Sequence, residues 1–98
     1  MFTVKQTDEF RAWFASIDNG PSQRRLAARL RKASFGLLGD VRPVGEGVSE
    51  MREHFGPGWR MYFVQRGLQI IVMLGGGSKS SQQADIRAAI QIARELED

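Results

Sequence analysis

The sequence contains no cysteine and one histidine in 98 residues. The first absence excludes disulfides and thiolate chemistry, and together they leave a zinc site almost nothing to be built from. No apolar run approaches the ~20 residues needed to cross a bilayer. The opening MFTVKQTDEF lacks the positive region and following apolar stretch of a secretory signal. These absences point to a cytoplasmic chain with no membrane partner and no metal. At this length one core fits and two do not, so residues 1–98 are expected to form one domain. What is present in excess is arginine: eleven of fourteen basic residues, with a net charge of +3. The guanidinium fork matches phosphates and carboxylates, so the composition favours a polyanionic or acidic partner.

Local patterns predict strand, two helices, three strands, helix. Phe2 to Lys5 reads as a strand, and Thr7 as the N-cap of a helix carrying Phe10, Trp13, Phe14 and Ile17 on one face. Asp18-Asn19-Gly20 breaks that helix, and Pro21 starts a second with a stripe of Leu26, Leu30, Ala33 and Leu37. Arg24, Arg25, Arg29, Arg31 and Lys32 occupy its other faces, a basic surface for RNA, a ribosome or a protein partner. The glycines from Gly36 to Gly47 predict a loop. Strands follow over 48–55, 59–65 and 68–74, joined by a Gly56-Pro57-Gly58 turn and an Arg66-Gly67 turn, with LQIIVML as the buried central strand. Turns this short require antiparallel pairing. Gly75-Gly76-Gly77 is expected to end the sheet and Ser80 or Ser81 to cap the last helix, Ser80 with Gln83 having the capping-box spacing. The fold class is α+β in two layers, β-α-α-β-β-β-α, with an antiparallel sheet and helices on one face.

Read at a period of two, with Phe55 opposite Trp59, the first hairpin places Arg52, His54, Arg60 and Tyr62 on one face. His54 then opposes Arg60 and Arg52 opposes Tyr62, while Met51, Phe55, Trp59, Met61 and Phe63 turn to the core. Glu53 is the misfit of the core side, with Arg42 a candidate partner, and Glu50 is placed to hold Arg52 in a surface ion pair. Two arginines beside an open groove suit a phosphate, and His54 and Tyr62 can move protons. RNA carries its own nucleophile, the 2′-hydroxyl, so no cofactor is required; the product would be a 2′,3′-cyclic phosphate. Lys79 is positioned to add a cation to the same groove.

The runs DVRPVGEG, VSEMREHFGPGWRMYFVQRG and GGGSKSSQQADI, with the aromatic helix FRAWFASI, resemble the RelE/ParE superfamily of type II toxins, and within it the HigB-like addiction-module killer proteins. The resemblance covers nearly the whole chain. It implies a microRNase-like fold, cleavage of mRNA on the translating ribosome, and neutralisation by a helix-turn-helix antitoxin in a hetero-oligomer. It maps the family's strand arginine and tyrosine onto Arg60 and Tyr62, the basic position of the E-x-R strand onto Arg52, and the GG-x-K lysine onto Lys79. ParE-like members of the superfamily instead inhibit DNA gyrase, and a non-enzymatic binding module is a third reading.

Overall fold

Thr7 opens the first helix in the expected way: its Oγ1 accepts the Phe10 N–H at 3.1 Å and donates to the Met73 carbonyl at 3.0 Å. One side chain thus caps a helix and ties it to a strand 66 residues later. The structure, a computed structural model, describes residues 1–96. In chain order the elements are β1 (Thr3–Gln6), α1 (Asp8–Ala15), α2 (Gly20–Ser34), β2 (Val41–Gly45), β3 (Val48–Arg52), β4 (Arg60–Arg66), β5 (Ile70–Gly77), a 3-10 turn (Lys79–Ser81) and α3 (Gln82–Glu95). Pro21 sits in the first turn of α2, as the sequence indicates, and Asn19 caps that helix through its side chain. Among the described residues no helix is long and apolar enough to cross a membrane.

The α+β class holds, while the arrangement differs from the expected one in several ways. The sheet has five strands in the order β1-β5-β4-β3-β2. The β2–β5 meander is antiparallel, but β1 lies parallel to β5, so the sheet is mixed. The extra strand, β2, arises inside the glycine-rich stretch read as loop. Its Val41 pairs with Met51 and Arg42 with Glu50, and pairing to a neighbour outweighs poor local strand propensity. The middle strand is β4, and β5 lies beside it. The β4–β5 connection takes three residues, 67–69, rather than two. Leu37 falls beyond the end of α2 and is exposed.

Helices cover both faces. Phe10 and Ile17, from α1 and the turn after it, and Leu26 and Ala33 of α2 pack on Met51, Met61, Phe63, Ile71 and Met73. On the opposite face Ala89 of α3, flanked by Ile86, Ile90 and Ala93, packs on Val48, Tyr62, Val64 and Leu74. The expectation of helices on one face and an open groove on the other is therefore corrected. The apolar stripe of α3 was legible, but period-two alternation says which residues share a face and not what covers it.

The three glycines do not end the sheet. They are the last residues of β5, opposite Tyr62, Met61 and Arg60. A Cβ on Gly76 would stand 2.5–2.6 Å from the Trp13 ring, and one on Gly77 would collide with the Asp85 carboxylate. Glycine here allows α1 and α3 to close on the strand from opposite sides. The Ser80–Gln83 capping box is absent. Ser81 is the N-cap of α3, its Oγ accepts the Ser78 N–H at 3.3 Å, and the Ser80 hydroxyl pairs with that of Ser78.

Candidate functional site

The hairpin register is shifted by two residues from the expected one. Arg52 opposes Arg60, Glu50 opposes Tyr62 and Val48 opposes Val64. A shift of two preserves every face assignment, so Arg52, Arg60 and Tyr62 do share one face. The cause is the connection: β3 stops at Arg52 and residues 53–59 form a longer loop, with Gly58 N–H donating to the Phe55 carbonyl at 3.1 Å. His54 consequently leaves the strand and does not face Arg60.

Arg60 holds this loop. It is 3% exposed, and Nη1 donates to the carbonyls of Glu53 (3.0 Å), Trp59 (3.2 Å) and Gly58 (3.3 Å). Arg29 holds it from the other side. Its guanidinium donates to the Glu53 carboxylate, to the Arg52 carbonyl at 2.7 Å and to the carbonyls of Leu38 and Asp40. The odd Glu53 thus finds Arg29 rather than Arg42, in a largely buried pair. Arg29 leaves the set of surface cations and becomes a fastening between α2, the segment before β2 and the β3–β4 loop. Arg25 lies over the Phe55 ring at 3.7 Å, whereas Arg24, Arg31 and Lys32 are exposed.

Glu50 is not in a surface pair. It is 1% exposed, accepts both hydrogen bonds of the Gln82 amide at 3.0 and 3.1 Å, and stands 3.8 Å from Arg52 Nε. Its neighbour Tyr62 is wholly buried. Burial raises the Tyr62 pKa far above the ordinary phenol range, the carboxylates of Glu50 and Asp85 raise it further, and Arg60 opposes them. Tyr62 is therefore a neutral hydroxyl that holds its proton, able to donate a hydrogen bond and unsuited to moving a proton in either direction. The Asp85 carboxylate accepts from the Ser81 hydroxyl at 2.5 Å.

Among the described residues, the buried side-chain polar atoms without a hydrogen-bond partner are Arg52 Nε, Trp59 Nε1, Arg60 Nε and Tyr62 Oη. All four are donors in this setting, and three belong to adjacent positions on one face. Folded proteins leave few such groups unpaired, because each costs roughly 1–3 kcal/mol.

These residues lie along one end of the sheet. Asp40 precedes β2, Arg52 closes β3, Arg60 opens β4, and Gly77 closes β5 opposite Arg60. Lys79 follows on the exposed side, its N–H donating to the Pro57 carbonyl at 3.3 Å. Between β3 and β5 the row extends about 10 Å, two strand spacings. At the β2 end His54 Nε2 lies 3.0 Å from Asp40 Oδ2. That hydrogen bond is the largest influence on Asp40 and lowers its pKa; burial opposes it, and the charges of Arg52, His54 and Arg29 add to the lowering. Arg52, His54 and Lys79 are reachable from solvent; Arg60 and Tyr62 stand behind them, under the start of α3. Sequence reasoning missed Asp40 and Gln82, which carry no periodic or spacing signal. The only hint of Arg29 was the misplaced Glu53.

Among the described residues no group of three or more His, Asp or Glu stands close enough to hold a metal ion. No family model matches the chain. An uncharacterized protein of Haemophilus influenzae is 33% identical to it over 93 residues, spanning 95% of this chain and 94% of the relative. The likeness runs over nearly the whole of both chains, and the chain belongs to one family with that Haemophilus influenzae protein.

Proposed function

We propose that the protein is the toxin of a type II toxin–antitoxin system, an endoribonuclease that cleaves mRNA on the ribosome by attack of the 2′-hydroxyl. The observation that carries this reading is the row of cationic donors at one end of the sheet: Arg52 opposite Arg60, and Lys79 just beyond the strand end that Arg60 also faces. The Arg52 guanidinium adds support, since its side chain is partly exposed and a phosphate oxygen is a natural acceptor for such a group. Arg52 and Lys79 bind the scissile phosphate and stabilise the charge that develops on it. Arg60 shapes the loop and adds a positive field from behind, and Tyr62 is held protonated at the rear of the site. His54 supplies the proton-accepting group. The nucleophile belongs to the substrate, so the scheme calls for neither a metal nor a covalent intermediate. The arrangement of sheet and helices is offered as a form of the microRNase-like fold, and the sequence motifs quoted above support the same reading. The expected partner is a helix-turn-helix antitoxin that covers the basic face of α2, the row, or both.

Primer extension on a reporter mRNA in a reconstituted translation system tests the proposal. The expected result is cuts inside the reading frame that vanish when initiation is blocked. Arg52→Ala and Lys79→Ala should each slow cutting by about 10²-fold while leaving the circular dichroism of the fold unchanged. Intact mRNA with continued translation would overturn the endoribonuclease reading; arrested gyrase supercoiling would then identify the ParE-like alternative.

A further inference from the structure

His54 and Asp40 come from different segments, the loop after β3 and the residue before β2, and still meet at 3.0 Å. Exposed ion pairs are commonly incidental. This one differs in how its two members are held. The Asp40 carbonyl accepts from Arg29 Nη2 at 2.8 Å and from the Arg52 N–H at 3.0 Å. On the His54 side, the same guanidinium binds the Arg52 carbonyl and the Glu53 carboxylate. One largely buried arginine thus fixes both ends of an exposed pair, whose histidine side chain is 70% exposed. The charges around the pair are Arg52 and Arg29, Glu53 paired with Arg29, and Arg25 over the neighbouring Phe55. An ionised carboxylate can only accept, so the hydrogen of the neutral ring sits on Nε2 and the lone pair on Nδ1.

We propose that Asp40 is a positioning residue for His54, fixing the tautomer and orientation in which Nδ1 takes the proton of the RNA 2′-hydroxyl. The inference rests on the endoribonuclease reading. As the proton moves to Nδ1, the 2′-oxygen bonds to phosphorus and the P–O5′ bond breaks. The 5′-oxygen leaves with the electron pair and takes a proton from water, and the imidazolium returns its proton to solvent. Arg52, two residues before His54, is placed to hold the phosphate while this occurs.

The chain has one histidine, so nitrogen NMR of the intact protein reads this ring alone. The expected spectrum shows the Nε2–H tautomer, replaced by a mixture in Asp40→Ala. Single-turnover cleavage of the reporter mRNA on programmed ribosomes is then followed across the imidazole range, about pH 5.5 to 8. The wild-type rate should rise with pH. Asp40→Asn keeps an acceptor, so it should retain the wild-type tautomer and a higher plateau than Asp40→Ala. Asp40→Ala should lower the plateau roughly tenfold to a hundredfold, and His54→Gln should abolish the limb. A changed tautomer in Asp40→Ala with an unchanged limb and plateau would overturn the positioning role alone. A wild-type protein that leaves the mRNA intact at every pH would overturn the endoribonuclease reading too, whatever the spectrum shows.

Discussion

At the scale of the residue, the chemistry is divided between groups that solvent can reach and groups that it cannot. Tyr62 is the clearest of the second kind. The folded protein holds its proton beyond the ordinary phenol range, so it leaves stability unchanged below about pH 10 and reduces it as the pH rises above that value. Tyr62 is also the one tyrosine of the chain, which makes phenolate absorbance a local probe. In an alkaline titration, phenolate should appear together with cooperative loss of circular dichroism. A smooth rise near pH 10 with the fold intact would mean that the hydroxyl is solvated. Arg29 and Glu50 show how a side chain's role can depend on what it meets. Arg29 sits in an arginine-rich stretch of helix and reads as one surface cation among five, yet it is tied to Glu53 and to three carbonyls. Glu50 reads as the surface partner of Arg52; the pair forms, at 3.8 Å, but Glu50 is buried in it and also accepts from Gln82.

At the scale of the element, the strand ends matter most. A methyl group on Gly76 has no room against Trp13, so Gly76→Ala should push α1 off the sheet. The expected cost is about 1–3 kcal/mol, seen as a lower midpoint in urea with a two-state transition retained. An unchanged midpoint would mean that the Trp13 ring moves aside freely. The helices, the Thr7 cap, the Pro21 start of α2 and the antiparallel pairing of β3, β4 and β5 were all legible in the sequence, because each depends on neighbours within a few residues. The faces of β3 and β4 were legible too, since alternation survives an even shift of register. β2, the parallel pairing of β1, and the placement of α3 over Tyr62 were not legible, because they are decided by contacts between segments distant in sequence. The site divides along the same line. That Arg52 and Arg60 share a face was readable from strand periodicity, and Lys79 from its place after the last strand, whereas Asp40 entered only when folding brought residue 40 to residue 54.

At the scale of the whole molecule, two groups of cations bear on the proposed function: the row at the sheet end and the outer face of α2. Arg24, Arg31 and Lys32 are exposed there, so neutralising all three with glutamine should change stability by no more than about 0.5 kcal/mol per position. If α2 approaches RNA, the same variant should bind programmed ribosomes more weakly, with a salt dependence shallower by up to about one unit of slope per charge removed. An unaltered slope would assign that face to another partner. Leaving Arg29 out of this variant is essential, since its loss would unfasten the loop and mimic a binding defect.

β1 has one strand neighbour, β5, with Thr3 beside Ile70 and Gln6 beside Met73. During synthesis, β1 is made before the other four strands of this sheet and is among the last of them to find its place. Until residue 73 has emerged, β1 has nothing to pair with, and the Met73 and Leu74 carbonyls that anchor Thr7 do not yet exist. Long sequence separation of this kind slows folding. A nascent copy keeps β1 unpaired until β5 has followed it out, and the row of cations at the sheet end is completed only once residues 77 to 79 have joined it.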